Sequence, residues 1–443
     1  MSPEYLQDIR RRLSMDGVHR TPQSTRIDFK KIAVIGVGRV GLPLAIAASL
    51  KKMPVVGFDI DEVKIAQLES RDALFLDHDL SHAFKRAHDL KLSARESDLT
   101  DADVFCICVS TPEKEHHADM RPLQEAAAIV GRNLSEGALV IVETAVHPGV
   151  CEHIVLPIIE KESGMSRTEF FFAHVPERTL DEHSSAPSAM PRVVGALTPE
   201  SLSRTLSLYG TILDADVFPM HSIKEAEAVK MVERAFLTVN TALGNELAIG
   251  FDRAGIDTVR VMQGAATKPG FVPFYPSLNT PENGTDDPYY LLRRGHENNF
   301  EHQLWGVARR INEGLPQYVV KILSDVLREK RRKIKGVTVA LLGLSPLGAR
   351  SEESAGVSIL HALKKKGAHV QAFDPHLAGF GRDLKEALRG AHAVIIAANL
   401  PVLAHITARQ LEEFGILAVV DACNCLDKAS FAASPILYHG LGR

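Results

Sequence analysis

The stretch Ile32-Ala33-Val34-Ile35-Gly36-Val37-Gly38-Arg39-Val40-Gly41-Leu42-Pro43 decides the fold. A short apolar run ends at Gly36, and a helical pattern follows from Gly41 to about Leu50. A second apolar run over 55–59 completes a strand, turn, helix, strand unit, for which the right-handed crossover is the rule. Gly36, Gly38 and Gly41 form a G-x-G-x-x-G turn. Its first glycine permits the tight turn, its second lets the backbone approach a pyrophosphate, and its third lets helix and strand pack closely. An anion placed there meets free N–H groups and the positive end of the helix dipole. Asp59, ending the second strand, offers a carboxylate to ribose hydroxyls and repels a 2′-phosphate. The turn therefore reads as a site for NAD rather than NADP, with Gly36, Gly38, Arg39, Val40, Gly41 and Asp59 as its binding residues.

Outward from this unit, strand-like runs recur at 104–109, 138–143, 170–173 and 193–194, with helical stretches between several of them. Such alternation predicts an α/β fold with a doubly wound parallel sheet. The pattern changes near residue 222. Residues 223–254 read as one long helix with Val229, Val232, Phe236, Val239, Ala242 and Leu243 on an apolar stripe. Residues 264–290 are rich in Pro, Gly, Asn and Asp and read as a long irregular loop, a common place for function. A second helix spans about 300–328. Strands then return at 337–342, 370–374, 393–398 and 417–421, with a helix over 354–366. The expected organisation is a tail (1–29), a Rossmann domain (30–221), a central helical domain with a long loop (222–334), and a second Rossmann-like domain (335–443).

The chain of 443 residues is 45% hydrophobic and 24% charged, with net charge −4. Those values suit a globular protein with large cores and point to neither nucleic acid nor an anionic membrane as partner. Five cysteines in this length form no disulfide framework, and Cys106, Cys108, Cys423 and Cys425 read as buried thiols in apolar runs. His116 and His117 read as loop residues, and no metal site is expected. The absence of an 18-residue apolar run and of an apolar stretch after the N-terminal charges predicts a cytoplasmic protein.

Several stretches carry a resemblance: IGVGRVGLP (35–43), VSTP (109–112), PER (176–178), PRVVG (191–195), KMVERAFLTVNTALGNE (230–246), ARRINEGLPQYV (308–319) and VQAFDP (370–375). From about Lys31 to the end, the chain resembles the UDP-glucose/GDP-mannose dehydrogenase superfamily, particularly its UDP-N-acetyl-hexosamine 6-dehydrogenase branch. The resemblance implies an N-terminal NAD domain, a helical dimerisation domain over 222–334 whose long loop is the substrate loop, and a C-terminal domain holding the nucleotide of the sugar donor. It adds Ser110, Thr111 and Thr144 to the expected cofactor-binding set. Such enzymes oxidise C6 of a nucleotide sugar twice, holding the aldehyde on a cysteine as a thiohemiacetal that becomes a thioester.

That cysteine is missing here: none occurs between Cys151 and Cys423. Counting back from Asp287 puts Asn283 at its position. The family's lysine matches Lys230 and its glutamate matches Glu177, but the asparagine one turn after the lysine is Arg234, and a water-placing threonine becomes Ala145. A Phe-Lys-Pro-Asp loop becomes Ser345-Pro346-Leu347-Gly348-Ala349, with Arg350 as a substitute phosphate ligand. Lys230 and Arg234, spaced i, i+4, share a helix face, and their repulsion of roughly 3 kcal/mol at about 6 Å favours a neutral amine. Lys230 is then the expected base for a sugar hydroxyl, with Glu177, Arg234, Asp287 and Asn283 beside it. Three functions compete: a two-electron oxidation or redox epimerisation of a nucleotide sugar, a full oxidation to the uronic acid without covalent catalysis, and a catalytically silent NAD- and nucleotide-binding protein.

Overall fold

The computed structural model describes residues 27–70, 78–114, 117–178, 190–213, 215–278, 302–345, 354–377, 379–381 and 383–443. The tail over 1–26, His116, Asn283, Asp287 and Arg350 lie outside the described residues. The chain divides into two compact units, one from Ser2–Glu233 with Tyr289–Leu291, the other chiefly from Arg234–Pro288 and Leu292–Arg443.

The first unit is built on β1 (Ile32–Ile35), β2 (Val55–Phe58), β3 (Leu90–Ser93) and β4 (Val104–Ile107), a small ribbon of β5 (Glu113–Lys114) with β6 (His117–Ala118), then β7 (Leu139–Val142), β8 (Phe171–His174), β9 (Arg192–Ala196) and β10 (Val217–Pro219). Eight of these form one sheet in the order β10-β9-β8-β7-β4-β1-β2-β3. Every residue of β1, β2, β4 and β7 is buried, as expected of strands covered on both faces. Alternate residues divide between two cores, Ile32 and Val34 in one and Ala33 and Ile35 in the other. The α/β class and the doubly wound arrangement are as expected, with one departure: β9 runs antiparallel to β8. The sheet order reverses at β1, which lies between β2 and β4, so the C-terminal ends of β1 and β4 frame the crevice where such sheets take ligands. His117 belongs to the ribbon rather than to a plain loop.

The second unit carries the five-stranded parallel sheet β12-β11-β13-β14-β15, from β11 (Thr338–Leu342), β12 (His369–Phe373), β13 (Ala393–Ile396), β14 (Ala418–Asp421) and β15 (Leu437–Gly440). Ser354 caps the helix Ala355–Lys365 by accepting from the Val357 N–H. In the helical part, Asn245 donates to Asn312 Oδ1 (3.0 Å) and to the Ser277 carbonyl (3.1 Å), while Asn312 donates to the Thr238 carbonyl (3.2 Å). This buried amide network fastens the long helix Ile223–Asp252 to the helix Gln303–Glu329. The segment expected to be irregular from 264 starts inside a helix, Thr258–Ala265, capped by Asp257.

The long helix buries polar and charged side chains together with Ile223, Ala226, Met231, Ala242 and Ala248, and leaves part of its apolar stripe exposed. Val232, Phe236 and Leu243 of the apolar stripe are 64%, 55% and 51% exposed, whereas Glu227, Lys230, Thr238 and Asn245 are buried. Cys106, Cys108 and Cys151 are buried, but Cys423 and Cys425 are only partly covered, because they lie in the turn that follows β14 and not in its apolar run.

Candidate active site

At the end of β1 the chain turns through Gly36 at φ +92°, and a Cβ there would sit 2.9 Å from the Cys108 carbonyl oxygen. A Cβ on Gly41 would lie 2.0 Å from the Gly36 carbonyl oxygen. Both glycines are thus demanded by the packing of turn, helix and β4. Gly38 differs: the nearest group to a Cβ there is Lys64 Nζ, at 4.0 Å. The chain itself does not need glycine at 38. The space it leaves, at the start of the helix Gly41–Leu50, is the cradle that a pyrophosphate requires, and these residues fit NAD.

Asp59 stands at the tip of β2 with 9% exposure. Its Oδ2 accepts from the Val37 N–H (3.2 Å) and from Lys64 Nζ (2.6 Å), and its Oδ1 accepts from the Asp61 N–H (3.2 Å). A carboxylate has about four acceptor positions, so one on Oδ1 stays open to a ribose hydroxyl. Ser110 is exposed and Thr111 half-buried just beyond the end of β4; Arg39 is exposed and Val40 half-buried in the glycine turn. Thr144 is buried, and its hydroxyl donates to the Val109 carbonyl (2.8 Å), which ties the segments after β4 and β7 together.

Lys230 enters from the long helix and is buried. Its Nζ donates to the Glu177 carbonyl oxygen (3.0 Å) and stands 3.5 Å from Glu177 Oε2. Glu177 is fixed in turn, because its N–H donates to the Glu143 carbonyl (3.1 Å) just past β7. This carboxylate opposes the repulsion expected from Arg234, which lies one turn onward in the helix and opens the second unit. Behind the pair, the Glu143 carboxyl is fully buried and accepts a short hydrogen bond from the Tyr209 hydroxyl. Burial pushes Glu143 up from the usual carboxyl range, against the pull of buried Arg192 and of Tyr209. Neighbouring His174 is driven by burial down to about 3 and stays neutral.

Sequence reasoning missed the residues that seat the helix. Lys224, Glu227 and Glu233, which recur with the expected Lys230 at every third position, are each engaged. Lys224 pairs with Glu152 (2.7 Å). Glu227 accepts from the Gly149 and Cys151 N–H groups (2.6 and 2.8 Å). Glu233 pairs with Arg178 (2.5 Å). The three-residue spacing of these charges was the available signal, and it overlaps the apolar stripe. No thiol is activated: burial pushes Cys106, Cys108, Cys151 and Cys423 well up and Cys425 to about 12, and a thiol becomes a good nucleophile only as its thiolate. Among the described residues no group of three or more His, Cys, Asp or Glu could hold a metal ion. Nor is any described helix long and apolar enough to cross a membrane.

Comparison with known proteins agrees with this geometry. Residues 30–213 match the UDP-glucose/GDP-mannose dehydrogenase family, NAD binding domain, and residues 224–314 match the central domain of the same family. A UDP-N-acetyl-D-glucosamine 6-dehydrogenase from Pseudomonas aeruginosa is 37% identical over 350 residues, covering 78% of this chain and 82% of that protein. A UDP-N-acetyl-D-mannosamine dehydrogenase from Pyrococcus horikoshii is 29% identical over 384 residues, covering 84% and 90%. The solved structure of the UDP-D-ManNAc dehydrogenase from Pyrococcus horikoshii superposes with a TM-score of 0.85 at 27% identity, over 93% of this chain and 99% of that one. A UDP-glucose dehydrogenase from Pyrobaculum islandicum gives 0.80 at 26% identity, over 96% and 100%. With an open glycine cradle, a buried lysine against a glutamate, and two consecutive domains matched, the chain belongs to the NAD-dependent UDP-glucose/GDP-mannose dehydrogenase family.

Proposed function

We propose that this protein oxidises a CH–OH group of a UDP-sugar by two electrons, or epimerises it through a bound oxidised intermediate, and does not go on to the uronic acid. The relatives named for UDP-N-acetyl-hexosamines make that sugar class the first to test. The observation that carries the reading is the buried Lys230–Glu177 pair in a chain with no cysteine between Cys151 and Cys423. NAD, held by the Gly36–Gly41 turn and Asp59, would supply the hydride acceptor for the carbinol carbon. Lys230, as the free amine, takes the hydroxyl proton on Nζ, and Glu177 holds that nitrogen in line. Arg234 binds a substrate anion or tunes Lys230, with Asp287 and Asn283 in the segment between the two long helices.

A full second oxidation needs a bond from the enzyme to the aldehyde carbon or a bound hydrate, and no thiol is poised to form that bond. Incubation with NAD and a panel of UDP-hexoses and UDP-N-acetyl-hexosamines, with products weighed by mass spectrometry, tests the reading. A product lighter by two hydrogens, or an isomer of the substrate, is expected. A uronate overturns the reading, and no turnover on the whole panel favours a silent nucleotide-binding protein.

The same reading includes a cytoplasmic homodimer. Val232, Phe236 and Leu243 expose apolar side chains on the long helix, and an isologous two-fold contact would cover them. Sedimentation of the wild type as a dimer, and of Phe236→Asp/Leu243→Asp as a monomer, is the expected result; a monomeric wild type ends that part of the proposal.

A further inference from the structure

Two ion pairs join the segment 176–178 to the long helix side by side. Glu177 faces Lys230 at 3.5 Å, and the next residue, Arg178, faces Glu233 at 2.5 Å. Arg178 also donates from Nη1 to the Pro191 carbonyl (3.0 Å), which fixes the direction of its guanidinium. The side chains of Arg178 and Glu233 are 27% and 33% exposed, so water screens them only in part. Glu233 lies three residues after Lys230, and residues at that spacing are neighbours on a helix surface. Lys230 therefore has two carboxylates within reach, Glu177 across the site and Glu233 along its own helix. In this structure it is bonded to the first, while the second is engaged by Arg178.

We propose that Arg178 is a positioning residue that holds Glu233 away from Lys230 and so keeps the amine on Glu177, an inference that rests on reading Lys230 as the base. Without Arg178, Glu233 becomes a half-buried carboxylate lacking that partner, one helical turn from an ammonium donor. Lys230 swings to it and leaves the substrate side. Neutralising Glu233 as well removes the competitor.

The test is a double-variant cycle. Arg178→Ala is expected to lower kcat between about tenfold and a hundredfold with little change in KM, as for a base displaced by roughly an ångström. It should also shift the ascending limb of the pH–rate profile, because the base then sits beside a different carboxylate. Arg178→Ala/Glu233→Gln should recover most of the rate and return the limb, an antagonism that a merely structural Arg178 would not give. Should Arg178→Ala not fold, Arg178→Gln with and without Glu233→Gln makes the same comparison. A double variant as slow as the single one, with the limb unmoved, overturns the proposal. The pH dependence of Lys230 acetylation by acetic anhydride, read by mass spectrometry in all variants, gives a second readout that needs no turnover. If no sugar is oxidised but labelling shifts with Arg178 and returns with Glu233→Gln, the functional reading fails and the positioning stands. Identical labelling in all variants sinks the positioning itself.

Discussion

The two sheets of this chain close their first turn with the same set of bonds, yet they differ at the third residue of the turn and in the exposure of the carboxylate. In the first unit, Gly36 N–H donates to the Phe58 carbonyl (2.8 Å), Val37 N–H to Asp59 Oδ2 (3.2 Å) and Asp61 N–H to Asp59 Oδ1 (3.2 Å). In the second, Gly343 N–H donates to the Phe373 carbonyl (2.9 Å), Leu344 N–H to Asp374 Oδ2 (2.9 Å) and His376 N–H to Asp374 Oδ1 (2.9 Å). Both glycines have positive φ, +92° and +73°. The differences are local. Gly38 corresponds to Ser345, whose N–H adds another bond to Asp374 (3.3 Å), and Asp374 is fully buried where Asp59 keeps an edge in solvent. A carboxylate at the tip of a second strand is thus first a lock on the turn. It can read a ribose only where the neighbouring residue is small and the tip is open.

The common lock should break alike on both sides. Gly41→Ala puts a Cβ 2.0 Å from the Gly36 carbonyl oxygen, and Gly356→Ala puts one 2.2 Å from that of Leu344. Each is expected to cost about 3 kcal/mol, read as a lower Tm; tolerance of either would show that its turn is softer than its twin. Acid should separate the halves. His174 has a folded value of about 3, below its unfolded 6.5, so its contribution is whole above pH 6.5 and fades as pH falls towards 3. Relative to His174→Leu, the wild type should lose about 1.4 kcal/mol per pH unit across that window, or about 2 kcal/mol by pH 5. Hydrogen exchange should locate the loss in β7 and β8; parallel pH curves for the two proteins would contradict this.

Gly38→Val should weaken NAD binding by tenfold or more, about 1.4 kcal/mol, with Tm nearly unchanged, because its side chain fills the cradle and touches no packed atom. Ser345→Gly should leave NAD affinity alone. Calorimetric titration checks both, and equal NAD affinity for wild type and Gly38→Val would remove the cradle argument. The smallest contrast is between Asp374→Asn, expected to cost about 1 kcal/mol of stability, and Asp59→Asn, expected to relax the preference for NAD over NADP. Unfolding midpoints and paired cofactor titrations report the two effects.

Much of the first turn was legible in the sequence because glycine placement and strand hydrophobicity are local signals. β1 and the helix Gly41–Leu50 fall where the pattern puts them, and Lys230 and Glu177, matched by resemblance alone, meet across the site. The reversed β9, the capped helix Thr258–Ala265 and β15 were not legible, since their pairing is decided by distant partners such as Phe172, whose carbonyl binds the Leu197 N–H. The long helix shows the limit most clearly. Its apolar stripe predicted the buried face, but the charges at 224, 227, 230 and 233 found fixed partners, and of the stripe Val232, Phe236 and Leu243 stayed in solvent while Ala242 is buried and Val229 and Val239 are half-buried. Glu177 was placed beside Lys230 by resemblance, but the 3.5 Å pairing of its carboxylate with the amine was not part of the reading from Arg234, because a contact between positions 177 and 230 has no local signature.

In the proposed function, chemistry stops after one hydride because an amine, not sulfur, faces the substrate. The direct measurement is the amount of NADH formed per UDP-sugar consumed, at exhaustion of a limiting sugar with NAD in excess. One NADH per sugar, or none where an epimer accumulates, is the predicted result. Two NADH per sugar, with a uronate as product, would contradict it.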